Sequence, residues 1–351
     1  MRLCALGLAI AAATSIPAHA QGLKQVGTIA IPGAPIEQFG IMTVDQVSGL
    51  GYLADKDNKG VVVFDTRTDA YVSRIGGFVG VAKNGDAAGP NGVLVAGGEL
   101  WVSDGDSTIT VIDTRSGEPK AKIATGGKLR ANGMAADPNA EVVIAANSND
   151  DPPFLSVIST APGHRIIAKI PIPQSGENLE RSAYHARSAT FFTAIPVSRA
   201  DRSKGLLAQT DPWNGKLVKL HEIDRCHPHS LSIVDEGTIF LGCSNAHGPS
   251  PRPGGDMAIF DVASGKVADY REGLGGNGGS AADLRRGRYY HATTNAALVV
   301  VDTKTRQLVE KVPTWNGARS LGVSPVNGRV YVATTAKGGP CGGCVVVFAP
   351  Q

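Results

Sequence analysis

Along this chain one short phrase of apolar and polar positions returns seven times: an apolar run, a small polar pair, a turn and a second apolar run. The copies are Val61–Thr66, Ile109–Thr114, Leu155–Thr160, Gly205–Thr210, Met257–Val262, Leu298–Thr303 and Cys344–Ala349. Measured at the polar position, the step ranges from 41 residues (Asp261 to Asp302) to 52 (Gln209 to Asp261). Apolar runs this short, bounded by turn residues, predict strands rather than helices. A step of about 40 to 50 residues built from such runs predicts a propeller of four-stranded blades.

Each repeat divides into strands A to D. Strand A follows a Gly- or Asn-rich approach, as at Asn91–Val95 and Asn132–Ala136, and strand B is plain at Leu100–Val102, Val142–Ile144, Thr238–Leu241 and Val330–Val332. Strand C is the recurring phrase itself. Turns such as Arg115-Ser116-Gly117 and Ala263-Ser264-Gly265 lead into strand D, for example Lys120–Ile123 and Leu308–Val312; their residues favour the φ values that turns need. The seventh repeat stops after strand C, at Phe348, and its missing strand D is predicted at Lys24–Ile31, ahead of a first strand A near Gly40. Pairing the two termini in one blade closes the ring and removes free sheet edges. The expected fold is an all-β, seven-bladed β-propeller, a single domain over residues 21–351.

Trp101-Val102-Ser103, the phrase Ile109–Thr114 with Ser116-Gly117, and Val330-Tyr331-Val332-Ala333-Thr334 carry a resemblance to the YVTN-repeat propellers, a bacterial seven-bladed family. It covers nearly the whole mature chain. The resemblance implies the fold, whereas propellers of this kind bind, scaffold or catalyse.

Residues 1–20 are set apart by Arg2, the apolar stretch Leu3–Ala13 and the small-x-small site Ala18-His19-Ala20. That pattern predicts a secretory signal peptide, its apolar part too short to span a bilayer. The mature chain is expected to be periplasmic or secreted and monomeric, with no membrane insertion. A net charge of +3 gives no argument for nucleic acid. Setting aside Cys4 in the leader, Cys226, Cys243, Cys341 and Cys344 remain, and in an oxidising compartment an even count predicts disulfides. The favoured pairs are Cys226–Cys243, within one blade, and Cys341–Cys344, closing a small loop. Cys341-Gly342-Gly343-Cys344 also reads as a redox or zinc half-site; such a motif usually opens a helix, whereas this one enters the strand-like Val345–Phe348.

In a propeller the D–A and B–C loops open on one face, around the axial channel. Aligning the repeats on strand B puts one residue of each just before strand A: Gln38, Asn91, Asn132, Arg181, His229, Gly279 and Arg319. Glu37, Glu180, Asn277 and His227 stand slightly further out. Arg181 and Arg319 suit a carboxylate or phosphate, which a guanidinium holds bidentately; Glu37 and Glu180 would alternatively neutralise them. Asn91 and Asn132 precede glycine and also suit turns. His227 and His229, flanking Pro228, are expected on one side of an extended stretch, either as hydrogen-bonding channel residues or as half a metal site completed by Glu37 or an Asn oxygen, with His247 the only obvious third imidazole. His185 and His291 read as satisfied sheet residues, and His164 and His221 as strand D residues. The Pro- and Gly-rich B–C loops at 147–153, 197–204, 246–256 and 336–343 are expected to rise around the funnel mouth.

Two classes of function follow. One is a propeller that binds a small anionic ligand, or a protein partner, over the funnel, with Asn91, Asn132, Arg181, His227, His229, Asn277 and Arg319 as binding residues. The other is suggested by similarity to the gluconolactonase-type propellers, which hydrolyse sugar lactones with a divalent metal. Glu37 and the Ala131–Ala135 stretch look like two elements of that site, and the resemblance implies Glu37, Asn132 and His229 as metal ligands. Arg181 and His229 stand where an Asp ligand belongs.

Overall fold

The computed structural model describes residues 22–244 and 255–351. The leader at 1–20, His247 and most of the 246–256 loop lie outside the described residues. Seven four-stranded antiparallel sheets are formed. Their innermost strands, A of blades one to seven, are Phe39–Val44, Gly92–Ala96, Ala131–Ala136, Ser182–His185, His227–Asp235, Gly278–Asp283 and Ser320–Val323. Each strand A touches the next around the ring, and that of blade seven touches that of blade one.

The recurring phrases are the C strands, and their continuous apolarity has a physical cause. Alternate side chains of a strand point to opposite faces, and here both faces are covered by neighbouring blades. Val61 and Val63 pack into the gap between blades one and two, while Val62 and Phe64 pack between blades seven and one. Leu298 and Val300 face blade seven, and Val299 and Val301 face blade five. One apolar cluster fills each gap between blades.

The polar residue that closes the phrase caps the C–D turn. Asp113 Oδ1 accepts from the Arg115 and Ser116 N–H groups, and Asp302 Oδ1 from those of Lys304 and Thr305. In blade four the cap is Asp211, two residues past the aligned Gln209. Such a carboxylate mimics a backbone turn acceptor, and backbone N–H bonds hold the Asp113 and Asp302 carboxyls below their ordinary range. The seventh copy ends in Phe348-Ala349 because no turn follows it.

The last blade closes as the sequence predicts. Leu23–Ala30 serves as its strand D, paired with Cys344–Pro350 from Leu23↔Pro350 to Ala30↔Cys344. Cys226 and Cys243 are bridged, their Cα atoms 4.9 Å apart, tying the start of strand A in blade five to its strand B. Cys341 and Cys344 are brought together in the blade-seven B–C loop, with Cα atoms 6.0 Å apart. Mass spectrometry of the mature protein without reductant is expected to find no alkylatable thiol; two modified cysteines would mean one bridge is open.

Two histidines differ from expectation. His164 lies in the C–D turn of blade three rather than in strand D, at φ 42°. It is buried there because Nε2 reaches Glu99 Oε2 at 2.9 Å and the ring meets the edge of Trp101. His185 is satisfied, Nδ1 on Ser188 Oγ at 2.7 Å and Nε2 on the Glu236 carbonyl at 2.8 Å. His291 is fully buried in strand B of blade six, and neither ring nitrogen makes a hydrogen bond of ordinary geometry among the described residues. Burial, then the charge of His229, pushes its pKa down to about 3, so it stays neutral.

Candidate functional site

Loops from all blades converge on a cavity of about 340 Å³ at the mouth of the axial channel. Asn91, Asn132, Glu180, Arg181, His229, Asn277 and Arg319 line it together, as their alignment before strand A predicts. Lys56, Arg130 and Asn178 join them. A second cavity of about 400 Å³ lies further along the axis, and Ile41 and Arg181 line both.

The inward aim of these side chains comes from β-bulges in the innermost strands. Pairing with strand B skips from Phe39 to Met42 in blade one, from Ala131 to Met134 in blade three and from Pro228 to Ser230 in blade five. A bulge leaves its extra residues unpaired and re-aims them, which puts Gly40-Ile41, Asn132-Gly133 and His229 into the channel. The same bulge separates the two histidines expected on one side. His227 stays in register opposite Ser244 and is buried, donating from Nδ1 to the Pro196 carbonyl at 2.7 Å. It does not line the cavity.

Several lining positions also stitch blade to blade. Arg319 Nη2 donates to Phe39 O at 3.0 Å and its guanidinium lies over the Phe39 ring. Ile41 N–H donates to Asn91 O at 2.7 Å, and Asn91 Nδ2 donates to Ala88 O and Ala131 O at 2.7 and 3.3 Å. His229 Nδ1 donates to Gly278 O at 3.3 Å, and Gly279 N–H to Arg319 O at 2.7 Å. The Asn91 amide group is therefore committed to the scaffold. Gly279, aligned with these positions, does not line the cavity, and Gly278 does; a Cβ at Gly279 would stand 3.3 Å from Arg181 Nη2.

Electrostatically the cavity is one-sided, with Lys56, Arg130, Arg181 and Arg319 facing a single carboxylate, Glu180. Glu180 is turned toward His229, with Oε2 3.6 Å from Nε2. Burial is the largest cause that lowers Lys56 to about 8, followed by the charges of Arg130 and Arg319. Burial likewise lowers Arg181 to about 10, with Glu180 opposing and Arg319 adding to the effect. Arg319 keeps water contact through the mouth, yet the surrounding protein and Arg130 lower it too. Arg130 Nη1 is held by Gly85 O at 3.1 Å. Lys56 Nζ and the Arg181 guanidinium make no hydrogen bond or ion pair among the described residues.

Three polar lining residues, Lys56, Arg130 and Asn178, were not among the sequence candidates. Lys56 sits in the short B–C turn of blade one, between strands Leu50–Asp55 and Gly60–Asp65, whereas the B–C loops singled out by sequence are the long ones of blades three, four, five and seven. Arg130 lies two places before Asn132, the offset that His227 has from His229, and was legible by that rule. Asn178 is placed by the long approach to blade four, where Asn149 Nδ2 bridges Asn178 Oδ1 and Asp86 Oδ1 at 3.0 and 2.9 Å. No simple spacing announces it.

The metal set Glu37, Asn132 and His229 is not assembled. Glu37 is exposed at the rim, paired with Lys337 Nζ at 3.0 Å, because Asp57 Oδ2 anchors the Glu37 and Gln38 N–H groups outside the bulge. Gln38 accordingly does not line the cavity, and Phe39, Gly40 and Ile41 take its place. Among the described residues no three His, Cys, Asp or Glu side chains converge as metal ligands. Four cationic side chains around one carboxylate would repel a divalent ion. The donor set does not fit a metal.

A solved chain of Kuenenia stuttgartiensis hydrazine synthase superposes with a TM-score of 0.69 at 16% identity, covering 91% of this chain and 96% of that one. The likeness is one of fold. No family model matches the chain, and no curated protein matches it.

Proposed function

We propose that this protein binds a small anion carrying two or more negative charges, such as a phosphate or a dicarboxylate, in the funnel of its propeller. The observation that carries this reading is that Lys56 and Arg181 make no hydrogen bond or ion pair among the described residues, inside a cavity with two further guanidinium groups. A desolvated charge is costly unless it is paired, and an anion between these groups supplies the pairing. Arg181 and Arg319 offer planar forks for oxygen pairs, while Asn132 and Asn277 offer neutral hydrogen bonds around the edge. The repeats are of the YVTN type on this reading, and the protein is exported through its leader to a compartment where the Cys226–Cys243 bridge persists.

Titration calorimetry with phosphate, malonate and succinate at low ionic strength tests the proposal. Binding that weakens steeply with added salt is expected. No heat and no shift in melting temperature with any of the three would overturn it.

Lys56 gives the site a pH signature. Its folded value of about 8 lies below the ordinary lysine value of roughly 10.4. Between the two, the unfolded chain holds a proton that the folded chain has released, so the ligand-free protein gains stability as pH rises through that window. Phosphate binding, which uses the charged amine, is expected to weaken over the same rise. Melting curves and calorimetry at pH 7 and pH 9.5 read both trends, and Lys56→Met should flatten each of them.

A further inference from the structure

We infer that Lys56 is a nucleophilic amine that condenses with a 2-oxo carboxylate held in the funnel, a reading that rests on the anion site above and names the class of its ligand. Lys56 is 9% exposed, and its Nζ makes no hydrogen bond or ion pair among the described residues. Both acids beside it in sequence are committed elsewhere. Asp55 Oδ2 accepts from Arg74 Nη2 at 2.8 Å and Asn58 Nδ2 at 2.9 Å, while Asp57 Oδ2 accepts the Glu37 and Gln38 N–H groups. No carboxylate hydrogen-bonds the ammonium; the guanidinium groups of Arg130 and Arg319 press on it from the cavity, and the charge of Asp57 opposes them as the smallest effect. A lysine that is desolvated and placed beside other cations gives up its proton more readily and becomes a nucleophile near neutral pH.

The same guanidinium groups explain the choice of partner. In a 2-oxo acid the electrophilic carbonyl carbon is bonded directly to the carboxylate, so a clamp on the carboxylate brings the carbonyl to the cavity wall where the amine lies. The Lys56 ammonium first gives one proton to funnel water, and the neutral Nζ adds its electron pair to the carbonyl carbon while the C=O π pair moves onto oxygen. Water then carries one proton from the new C–N nitrogen to that oxygen, restoring the nitrogen lone pair; the proton released at the start returns to the hydroxyl, the lone pair expels it as water, and a protonated imine is left. Across the whole step the ammonium and the ketone become the iminium and one water, with no net proton uptake and no redox change. A dicarboxylate without a carbonyl would occupy the site and not react.

Incubating the mature protein with pyruvate, reducing with borohydride and mapping the tryptic peptides tests the inference. The reduced adduct is expected on Lys56 ahead of all other lysines, suppressed at least tenfold by excess phosphate, with a trapping rate that rises through pH 8. Lys56→Arg should lose the adduct, and its melting curve shows whether the fold survives. Adducts spread evenly over surface lysines, or none at Lys56 in protein that binds phosphate, would overturn the imine and leave the anion site standing. If phosphate fails to bind as well, the underlying reading falls with it.

Discussion

Arg181→Met is expected to weaken phosphate and succinate binding by roughly 100-fold or more while the ligand-free protein melts no lower than the parent. A hydrogen bond to a charged group contributes about 1.5–3 kcal/mol, and a guanidinium fork that makes two of them accounts for about 3–6 kcal/mol. Each 1.4 kcal/mol is about tenfold in affinity. The absence of a stability cost follows from the same geometry. Arg181 makes no hydrogen bond or ion pair among the described residues, and burial already strains its charge. Removing an unpaired, poorly solvated cation relieves the free protein, as expected where a binding group is kept at the expense of stability. Calorimetry with melting curves, with and without phosphate, reads both halves. In the parent, phosphate should raise the melting temperature by linkage; in the variant it should not. A variant that binds as well as the parent would remove Arg181 from the site, and one that melts well below it would make Arg181 a structural plug between the two cavities.

Deleting Leu23–Ala30 is expected to abolish cooperative folding. Leu23 and Ile29 are 7% and 2% exposed, and removing a buried side chain of this size costs about 2–5 kcal/mol. The two together approach the ~5–15 kcal/mol by which a folded protein is stable at all. The deletion also strips the strand Cys344–Pro350 of its partner, and a bare hydrophobic edge pairs with other chains. Size-exclusion chromatography and melting of a chain starting at Ile31 should show aggregates without a sharp transition. A circular permutant supplies the control, because Gln351 N–H already donates to Gly22 O at 2.9 Å. Joining these ends and opening the exposed turn at Gly117 keeps every strand pair and is expected to fold. A truncated chain that melts like the parent would show that ring closure contributes little.

Much of the candidate site was legible because strand order fixes where loops go. Seven of the residues aligned before strand A or just outside it meet in one cavity, although they are spread from Asn91 to Arg319. Those that failed did so for local reasons that spacing does not carry. His227 and His229 are two residues apart, which in a regular strand means the same side, but a bulge at His229 sends them apart. Glu37 lies two residues before Phe39, the nearest lining residue, yet Asp57 holds its backbone outside the bulge. Lys56 was invisible because a buried lysine between two aspartates reads as a solvated turn until the partners of both acids are known.

By itself the sequence determined the blade count, the closure and the common mouth. Those follow from the period of the apolar phrase, from the two-residue alternation that buries both faces of each C strand, and from a seventh repeat that ends one strand short. Only the tertiary structure decided which polar groups are committed and which are open to a ligand. Bulges, blade-to-blade hydrogen bonds and the desolvation of Lys56 and Arg181 arise where segments distant along the chain meet around the axis.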